Sequence, residues 1–382
     1  MVTEDSNMTL TPDELARYRR HLLLPEVGAA GQEALKAARV LLIGAGGLGS
    51  PSALYLAASG VGTLGLIDCD QVDVSNLQRQ VLYDTGSVGR SKVQAASERL
   101  QAMNPGLSVI HHDVEMRAAN VCEIFRGYDV VLDGTDRFSA RYLANDACVI
   151  LGKPLVSAAI HRFEGLAMTY VPGRGPCYRC LFPDPPAEGL IPNCAEAGVL
   201  GVLPGVMGTI QATEAIKLIL GLGEPLLGRL LTYDALRLRF DEFRFTRRDD
   251  CAVCGDHPSI LAPQDLDGAC SAELLAGVHR LSAAQLQVLL EDPAAAIIDV
   301  REPHEYQASH LAGSLNIPIS ELDRLAEFGA QCRCVFVCRS GARSLRASAL
   351  AVEQGIHDVA HLEGGLLAWA RDVDTSFDVA LP

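Results

Sequence analysis

The sequence predicts an α/β protein in two parts: a Rossmann-like, doubly wound and mostly parallel sheet, followed by a small separate α/β domain. Three observations carry the prediction. Short apolar runs alternate with helix-period stretches from Arg39 onward, the pattern of strands joined by crossover helices. A glycine turn, GAGGLG at Gly44–Gly49, stands between the first such run and the helix after it. A stretch of weak periodicity carrying Pro258, Pro263 and Gly268 then interrupts the alternation, which resumes near Val278. The expected boundaries are residues 1–257 for the first domain, 258–277 for a linker and 278–382 for the second domain.

The chain opens its regular structure at Thr11, where a Thr N-cap, Pro12 at the first helical position and Glu14 at the third predict a helix with Leu15, Tyr18 and Leu22 on one face and Arg17, Arg19 and Arg20 exposed. Val40–Ile43 reads as a buried strand, Ser50–Ala58 as a helix and Leu64–Ile67 as the next strand. Val130–Leu132 and Leu155–Val156 continue the sheet, with Ala140–Leu151 as a helix between them. In the second domain Ile297–Val300 and Val335–Val337 are strands that end on a polar or reactive residue, and Ser320–Phe328 has a helical pattern.

Composition narrows the function classes. With 32 basic against 47 acidic residues the formal charge is −15, which would repel a phosphate backbone and argues against nucleic acid. The most apolar stretch, Val199–Leu222, is interrupted by Pro204, Gln211, Glu214 and Lys217, so it is expected as a buried helix or subunit interface and not as a bilayer span. MVTEDSNMTLTPDELARYRR lacks a basic segment followed by an apolar one, so no secretory signal is read and a cytoplasmic location is expected. Twelve cysteines in 382 residues are too sparse for a disulfide scaffold and suit metal or sulfur chemistry in a reducing compartment.

Gly44, Gly46 and Gly49 spell G-x-G-x-x-G after a strand, so backbone amides and a helix N-terminus can approach phosphate oxygens, and Asp68 ends the next strand where it can accept from ribose hydroxyls. Alone, this pattern also fits a nicotinamide or flavin enzyme, or a structural turn. The loop that follows supplies Asn76 and two cations, Arg79 and Lys92, suited to a leaving group in substitution at a triphosphate. Asp136, in LDGTDRF, is a candidate Mg²⁺ ligand at the carboxyl edge of the sheet.

On RYRRHLLLPEVG, GAGGLGSP, LIDCDQVDVSNLQRQ, the Gly89–Lys92 motif GRSK and DGTDRFSARYLANDAC, the chain resembles the ubiquitin-activating-like adenylyltransferases of the MoeB and ThiF type. The resemblance implies that Gly47, Asp68, the loop Ser75, Asn76, Leu77, Gln78 and Arg79, then Lys92 and Asp136, bind ATP and Mg²⁺, and that Arg20 reaches across a homodimer interface to the partner's triphosphate. The chain departs from the family at Arg137, where Asn is usual.

Cys177 with Cys180 and Cys251 with Cys254 form two C-x-x-C pairs, enough for a closed, structural tetrahedral Zn²⁺ site; a redox dithiol is the rival reading. The resembling family also carries this zinc site. Cys194 lies in a loop rich in Pro and Gly, where the resemblance implies a covalent link to the activated carrier and the residues alone support only exposure.

VFVCRSGARS places Cys338 at a strand end before the loop Arg339, Ser340, Gly341, Ala342 and Arg343 and a helix near Ser344. Amides, helix N-terminus and the two arginines favour an anion there, a thiolate or a persulfide. A Cys-dependent phosphatase would need Arg at position 344, which is Ser. With IIDVREPHEYQASHLAGSLNIP and LEGGLLAW, this region resembles a rhodanese domain, in which Asp299, Arg301, Glu305 and His310 match residues that support the loop. Together the two resemblances imply ATP-dependent adenylation of a ubiquitin-like sulfur carrier ending in Gly-Gly, then sulfur transfer to give a thiocarboxylate, with thiosulfate or a cysteine desulfurase as donor. The alternatives are a nicotinamide oxidoreductase with a sulfur-sensing tail, and a scaffold that binds a ubiquitin-like partner.

Overall fold

The computed structural model describes residues 10–185, 198–266, 278–327 and 333–379, in two compact units that meet between Leu266 and Asp267 in sequence. Among the described residues the first unit holds an eight-stranded sheet: β1 (Arg39–Ile43), β2 (Thr63–Ile67), β3 (Ser108–His112), β4 (Val130–Asp133), β5 (Leu155–His161), β6 (Glu164–Tyr170), β7 (Arg229–Asp234) and β8 (Arg239–Arg244). The order is β3-β2-β1-β4-β5-β6-β7-β8; the first five strands run parallel and β5 to β8 pair antiparallel. The antiparallel extension was not part of the sequence expectation.

Every residue of β1 after Arg39 is buried because helices cover both faces of the parallel part. Leu42, Leu56, Leu64, Leu66 and Leu100 fill one layer; Leu41, Ile43, Phe125, Val131 and Leu143 fill the other. The stretch Val199–Leu222 contains the helix Leu203–Leu220, and its polar interruptions are hydrogen-bonded. Gln211 Nε2 donates to Asp133 O at 2.7 Å and Val156 O at 3.2 Å, while Glu214 Oε2 accepts from Thr169 Oγ1 and Leu226 N, each at 2.7 Å. Among the described residues no helix is long and apolar enough to cross a membrane.

Two expectations change. The helix from Thr11 keeps its capping box but ends at Arg17, because Tyr18 is buried, with its hydroxyl accepting from Asn104 Nδ2 at 2.8 Å and its backbone at φ −95, ψ 13. Residues 258–266, expected to open the linker, lie against the first unit: Ile260 N donates to Ala252 O, Asp265 Oδ1 accepts from Ala118 N at 2.8 Å, and Leu266 packs beside Tyr142 and Tyr178.

Among the described residues the second unit holds a five-stranded parallel sheet of β9 (Val278–Leu281), β10 (Ala295–Asp299), β11 (Leu315–Asn316), β12 (Arg333–Val337) and β13 (Val359–Leu362), ordered β11-β10-β12-β13-β9. Central β12 delivers Cys338 to the carboxyl edge between β10 and β13. The segment expected as a helix at Ser320–Phe328 forms 3₁₀ turns over Ile319–Glu327, broken at Glu321 (φ −118, ψ 20). Leu322 and Leu325 are both buried, and that spacing suits three residues per turn.

Candidate functional site

The first unit's sheet changes winding direction between β1 and β4, the place where a doubly wound sheet opens a crevice at its carboxyl edge. The glycine turn after β1 sits there. Gly44 has φ +85, and a Cβ on Gly49 would lie 2.0 Å from Gly44 O, so neither position admits another residue without distortion. Gly44 also touches the loop after β4, since a Cβ there would lie 3.2 Å from Gly134 O.

Asp68 leaves β2 and stitches this turn in place: Oδ2 accepts from Ala45 N and Oδ1 from Asp70 N, each at 2.9 Å. Tyr83 Oη donates to Ala45 O at 2.8 Å, clamping the same residue from its other side. Burial pushes the Asp68 carboxyl above its ordinary range, against the pull of Lys92. Lys92, only 6% exposed at the start of the helix Lys92–Met103, has Nζ 2.8 Å from Asp70 Oδ2 and 4.0 Å from Asp68 Oδ1. A buried ammonium between two carboxylates is a fixed positive point beside the crevice. Arg79 Nη1 donates to Ser75 O at 3.0 Å, and its Cγ would be 3.7 Å from a Cβ on Gly47, so this loop comes back onto the turn. Asn76 Oδ1 accepts from Asp73 N, closing the short turn Val74–Asn76; Leu77 is half-buried and Gln78 exposed.

The loop after β4 is held by a buried network that the motifs alone did not reveal. Asp133 Oδ1 accepts from Thr135 N and Oγ1, and Oδ2 from Arg141 Nε at 2.9 Å and Ser157 Oγ at 2.8 Å. Arg141 Nη2 in turn donates to Thr135 O and Ala158 O. Asp136, next along the loop, is exposed and takes no hydrogen bond or ion pair from the described residues. A free carboxylate at this edge fits a hard divalent cation. Arg137 points instead to Glu115, Nη1 to Oε1 at 3.2 Å. Arg20 is exposed, with no side-chain hydrogen bond or ion pair among the described residues. The DCD sequence ahead of Lys92, and the Asp133–Arg141 spacing across one loop, were the available signals for Asp70 and the buried network.

The four cysteines of the two C-x-x-C pairs converge: all Sγ atoms lie within 4.8 Å of one another, with Cys177–Cys251 at 3.7 Å and Cys180–Cys254 at 3.3 Å. Tetrahedral Zn–S bonds of about 2.3 Å require sulfurs about 3.8 Å apart, so the donor set fits zinc. Arg248 N donates to Cys180 Sγ at 3.5 Å, a partner suited to thiolate. Cys194 lies outside the described residues.

In the second unit Cys338 is fully buried, and its sulfur accepts from Gly341 N at 3.2 Å and Ser344 N at 3.3 Å. Gly341, at φ +96, caps the helix Ala342–Glu353, which directs its first amides at the sulfur. Arg339 is half-buried beside Cys338, and Ser340 is exposed. Arg343, expected to lend its charge to the loop, forms a bidentate pair with Glu305 through Nη1 and Nη2 at 2.6 and 2.8 Å, while the backbone amides face the sulfur. Asp299 and Arg301 form a second, fully buried pair at the end of β10, and His310 Nδ1 contacts Tyr306 O at 2.8 Å.

Burial raises the Glu305 carboxyl, but Arg343 and the Glu302 amide outweigh it and hold the group below its ordinary 4.5. A carboxylate with a depressed folded-state pKa contributes stability that is present above the unfolded value and lost as pH falls through the folded one. Glu305→Gln is therefore expected to lower the melting temperature of the second unit at pH 7, with the difference from wild type closing as the pH drops below 4.5. A calorimetric difference that stays constant down to pH 3 would remove the ion pair from this account.

Crevice, glycine turn and cysteine cluster on one unit, and a cradled cysteine on the other, define a two-part enzyme of nucleotide and sulfur chemistry. The ThiF family profile matches residues 18–253 and the Rhodanese-like domain profile residues 282–372, and the chain belongs to the ThiF family, here joined to a rhodanese-like domain. A protein of Mycobacterium tuberculosis named "Probable adenylyltransferase/sulfurtransferase MoeZ" is 44% identical over 377 residues, covering 95% of both chains. The "Sulfur carrier protein adenylyltransferase" of Thermus thermophilus is 51% identical over 268 residues, 69% of this chain and 99% of that protein. Among solved structures, Escherichia coli MccB with ATP superimposes with a TM-score of 0.55 at 25% identity, covering 63% of this chain and 74% of that one.

Proposed function

We propose that this enzyme adenylates the C-terminal glycine carboxylate of a ubiquitin-like sulfur carrier in the cytoplasm and then converts the adenylate to a thiocarboxylate with sulfur held on Cys338. The observation that carries the reading is the presence in one chain of a phosphate crevice with a fixed Lys92 and an amide-lined Cys338. Relatives named for both activities support it, as does the likeness to a structure solved with ATP. A nicotinamide oxidoreductase is not favoured, because the relatives are named for adenylyl and sulfur transfer.

A carboxylate oxygen of the carrier attacks the α-phosphorus of ATP, the bond to the bridging oxygen breaks, and pyrophosphate leaves. Backbone amides of the glycine turn, Arg79 and Lys92 counter the charge that builds on the phosphates, with Arg20 contributed across a homodimer. Asp136 would hold Mg²⁺, which supplies further charge neutralisation when bound. The terminal persulfide sulfur on Cys338 then attacks the acyl carbon, AMP departs, and an acyl disulfide results. The acyl group reaches the persulfide directly or after a visit to Cys194; a small cellular thiol then attacks Cys338 Sγ, the S–S bond breaks and the thiocarboxylate leaves, with a disulfide on Cys338 as the oxidised product.

The test is the intact mass of a Gly-Gly-ending carrier incubated with the protein, Mg²⁺·ATP and thiosulfate. An ATP-dependent gain equal to exchange of oxygen for sulfur is expected, and its absence together with absent pyrophosphate release across several carriers would overturn the reading. Asp136→Ala is expected to lose both half-reactions, by about 100-fold or more in pyrophosphate release.

A further inference from the structure

The helix Ala342–Glu353 and β13 meet along a buried polar seam that sulfur transfer as described leaves unused. His361, in β13, is 3% exposed; its Nδ1 is 3.5 Å from Ser344 Oγ and its Nε2 is buried without a hydrogen-bond partner among the described residues. Ser344 is fully buried, donates from Oγ to Gly341 O at 2.9 Å, and places the same Oγ 3.6 Å from Cys338 Sγ. Imidazole, hydroxyl and sulfur thus stand in line from the sheet to the nucleophile. A buried imidazole with one nitrogen unsatisfied is destabilising, and an apolar residue would fill the place without that cost.

The protons can be assigned. Ser344 Oγ has one hydrogen, and it is engaged by Gly341 O, so what the hydroxyl offers to its other neighbours is lone pairs. A hydrogen bond from His361 to that hydroxyl then calls for the ring's proton on Nδ1. Burial first and the Arg280 charge second hold His361 below its ordinary 6.5, against Glu363 and a hydrogen bond with the Leu362 backbone, a balance that favours the neutral ring near pH 7. The charged groups about the sulfur are Arg339, the Arg343–Glu305 pair and the Asp299–Arg301 pair.

We propose that His361 is a positioning residue for Cys338, acting through Ser344. Its Nδ1–H fills one lone pair of Ser344 Oγ and orients the hydroxyl. While the cysteine is a thiol, its S–H donates to Oγ; once that proton has left to solvent, the Oγ–H turns from Gly341 O to the sulfur and joins the Gly341 and Ser344 amides as a third donor. The inference rests on Cys338 as the sulfur-carrying nucleophile, but its test reads the bare thiol.

The measurement is the rate of Cys338 alkylation by iodoacetamide in the full chain, followed by peptide mass spectrometry. His361→Leu and Ser344→Ala are each expected to slow alkylation at pH 7 by about fivefold to tenfold, the scale of one hydrogen bond to a charged sulfur, and to match wild type at strongly alkaline pH. His361→Asn, which keeps an N–H near the Nδ1 position, is expected within about twofold of wild type. The double variant His361→Leu with Ser344→Ala is expected to be no slower than Ser344→Ala alone, because both act through one hydroxyl. Wild-type rates in the single variants, or additive slowing in the double, would overturn the proposal. Should the leucine unfold the unit, ¹⁵N-histidine NMR of the unsubstituted chain decides the matter: a neutral Nδ1–H tautomer upholds the assignment and a neutral Nε2–H tautomer overturns it. Failure of wild-type Cys338 to acquire sulfur from a donor would instead sink the proposed function, and would leave the alkylation result standing.

Discussion

Cys338→Ala is expected to abolish thiocarboxylate formation while ATP–pyrophosphate exchange with the carrier stays within about twofold of wild type. The two halves of the reaction use groups on separately folded sheets, so removal of one sulfur from the second unit leaves Gly44, Asp68, Lys92 and the Asp133 network untouched. A serine hydroxyl cannot carry a persulfide, and Ser344, beside the sulfur, is bound to Gly341 O. The variant also removes a buried atom that accepts two backbone amides, so a modest fall in the second unit's melting temperature is expected beside the complete chemical loss. Intact mass separates the outcomes, because the variant should stop at an adenylated carrier. Thiocarboxylate at wild-type yield from Cys338→Ala would mean that sulfur reaches the adenylate by another route.

Loss of the cysteine cluster is expected to have the largest effect on stability. Cys251→Ser leaves three thiolates, and structural zinc in small peptides is worth on the order of 10 kcal/mol, comparable with the whole stability of a domain. Cys177 and Cys180 follow β6, whereas Cys251 and Cys254 follow β8, so the cluster ties the end of the antiparallel extension to its beginning. The expected result is one zinc per wild-type chain, little zinc in Cys251→Ser, and unfolding of the first unit with loss of pyrophosphate exchange. The second unit, with its own core around Phe336 and Ile298, should still melt cooperatively and take up sulfur on Cys338. A zinc-free wild-type protein that exchanges pyrophosphate at full rate would reject the structural metal.

Much of this was legible in the residues. Burial on both faces makes a parallel strand a continuous apolar run, which is why Val40–Ile43, Val130–Leu132 and Val335–Val337 could be read directly. Gly44–Gly49 could be read because few other residues tolerate its backbone, and the two C-x-x-C pairs because coincident thiol pairs have few other uses. Asp70, Asp133, Arg141 and His361 were harder to read: the DCD run and the Asp133–Arg141 spacing hint at the first three, but an isolated Asp, Arg or His in a string does not name its partner. The partner of Arg343 was hidden for the same reason: a charge near a nucleophile in sequence says nothing of a carboxylate that arrives from residue 305.

By itself, then, the sequence determined the parallel strands, the glycine turn, the two cysteine pairs and the cysteine at the end of the central strand, all properties of local chemistry and spacing. The tertiary structure alone decided which charges remain free. It paired Lys92 with Asp70 and Arg343 with Glu305, left Asp136 open, and placed His361 behind Ser344, because pairing depends on which strands and loops lie side by side and neighbours in the sheet are distant in the chain.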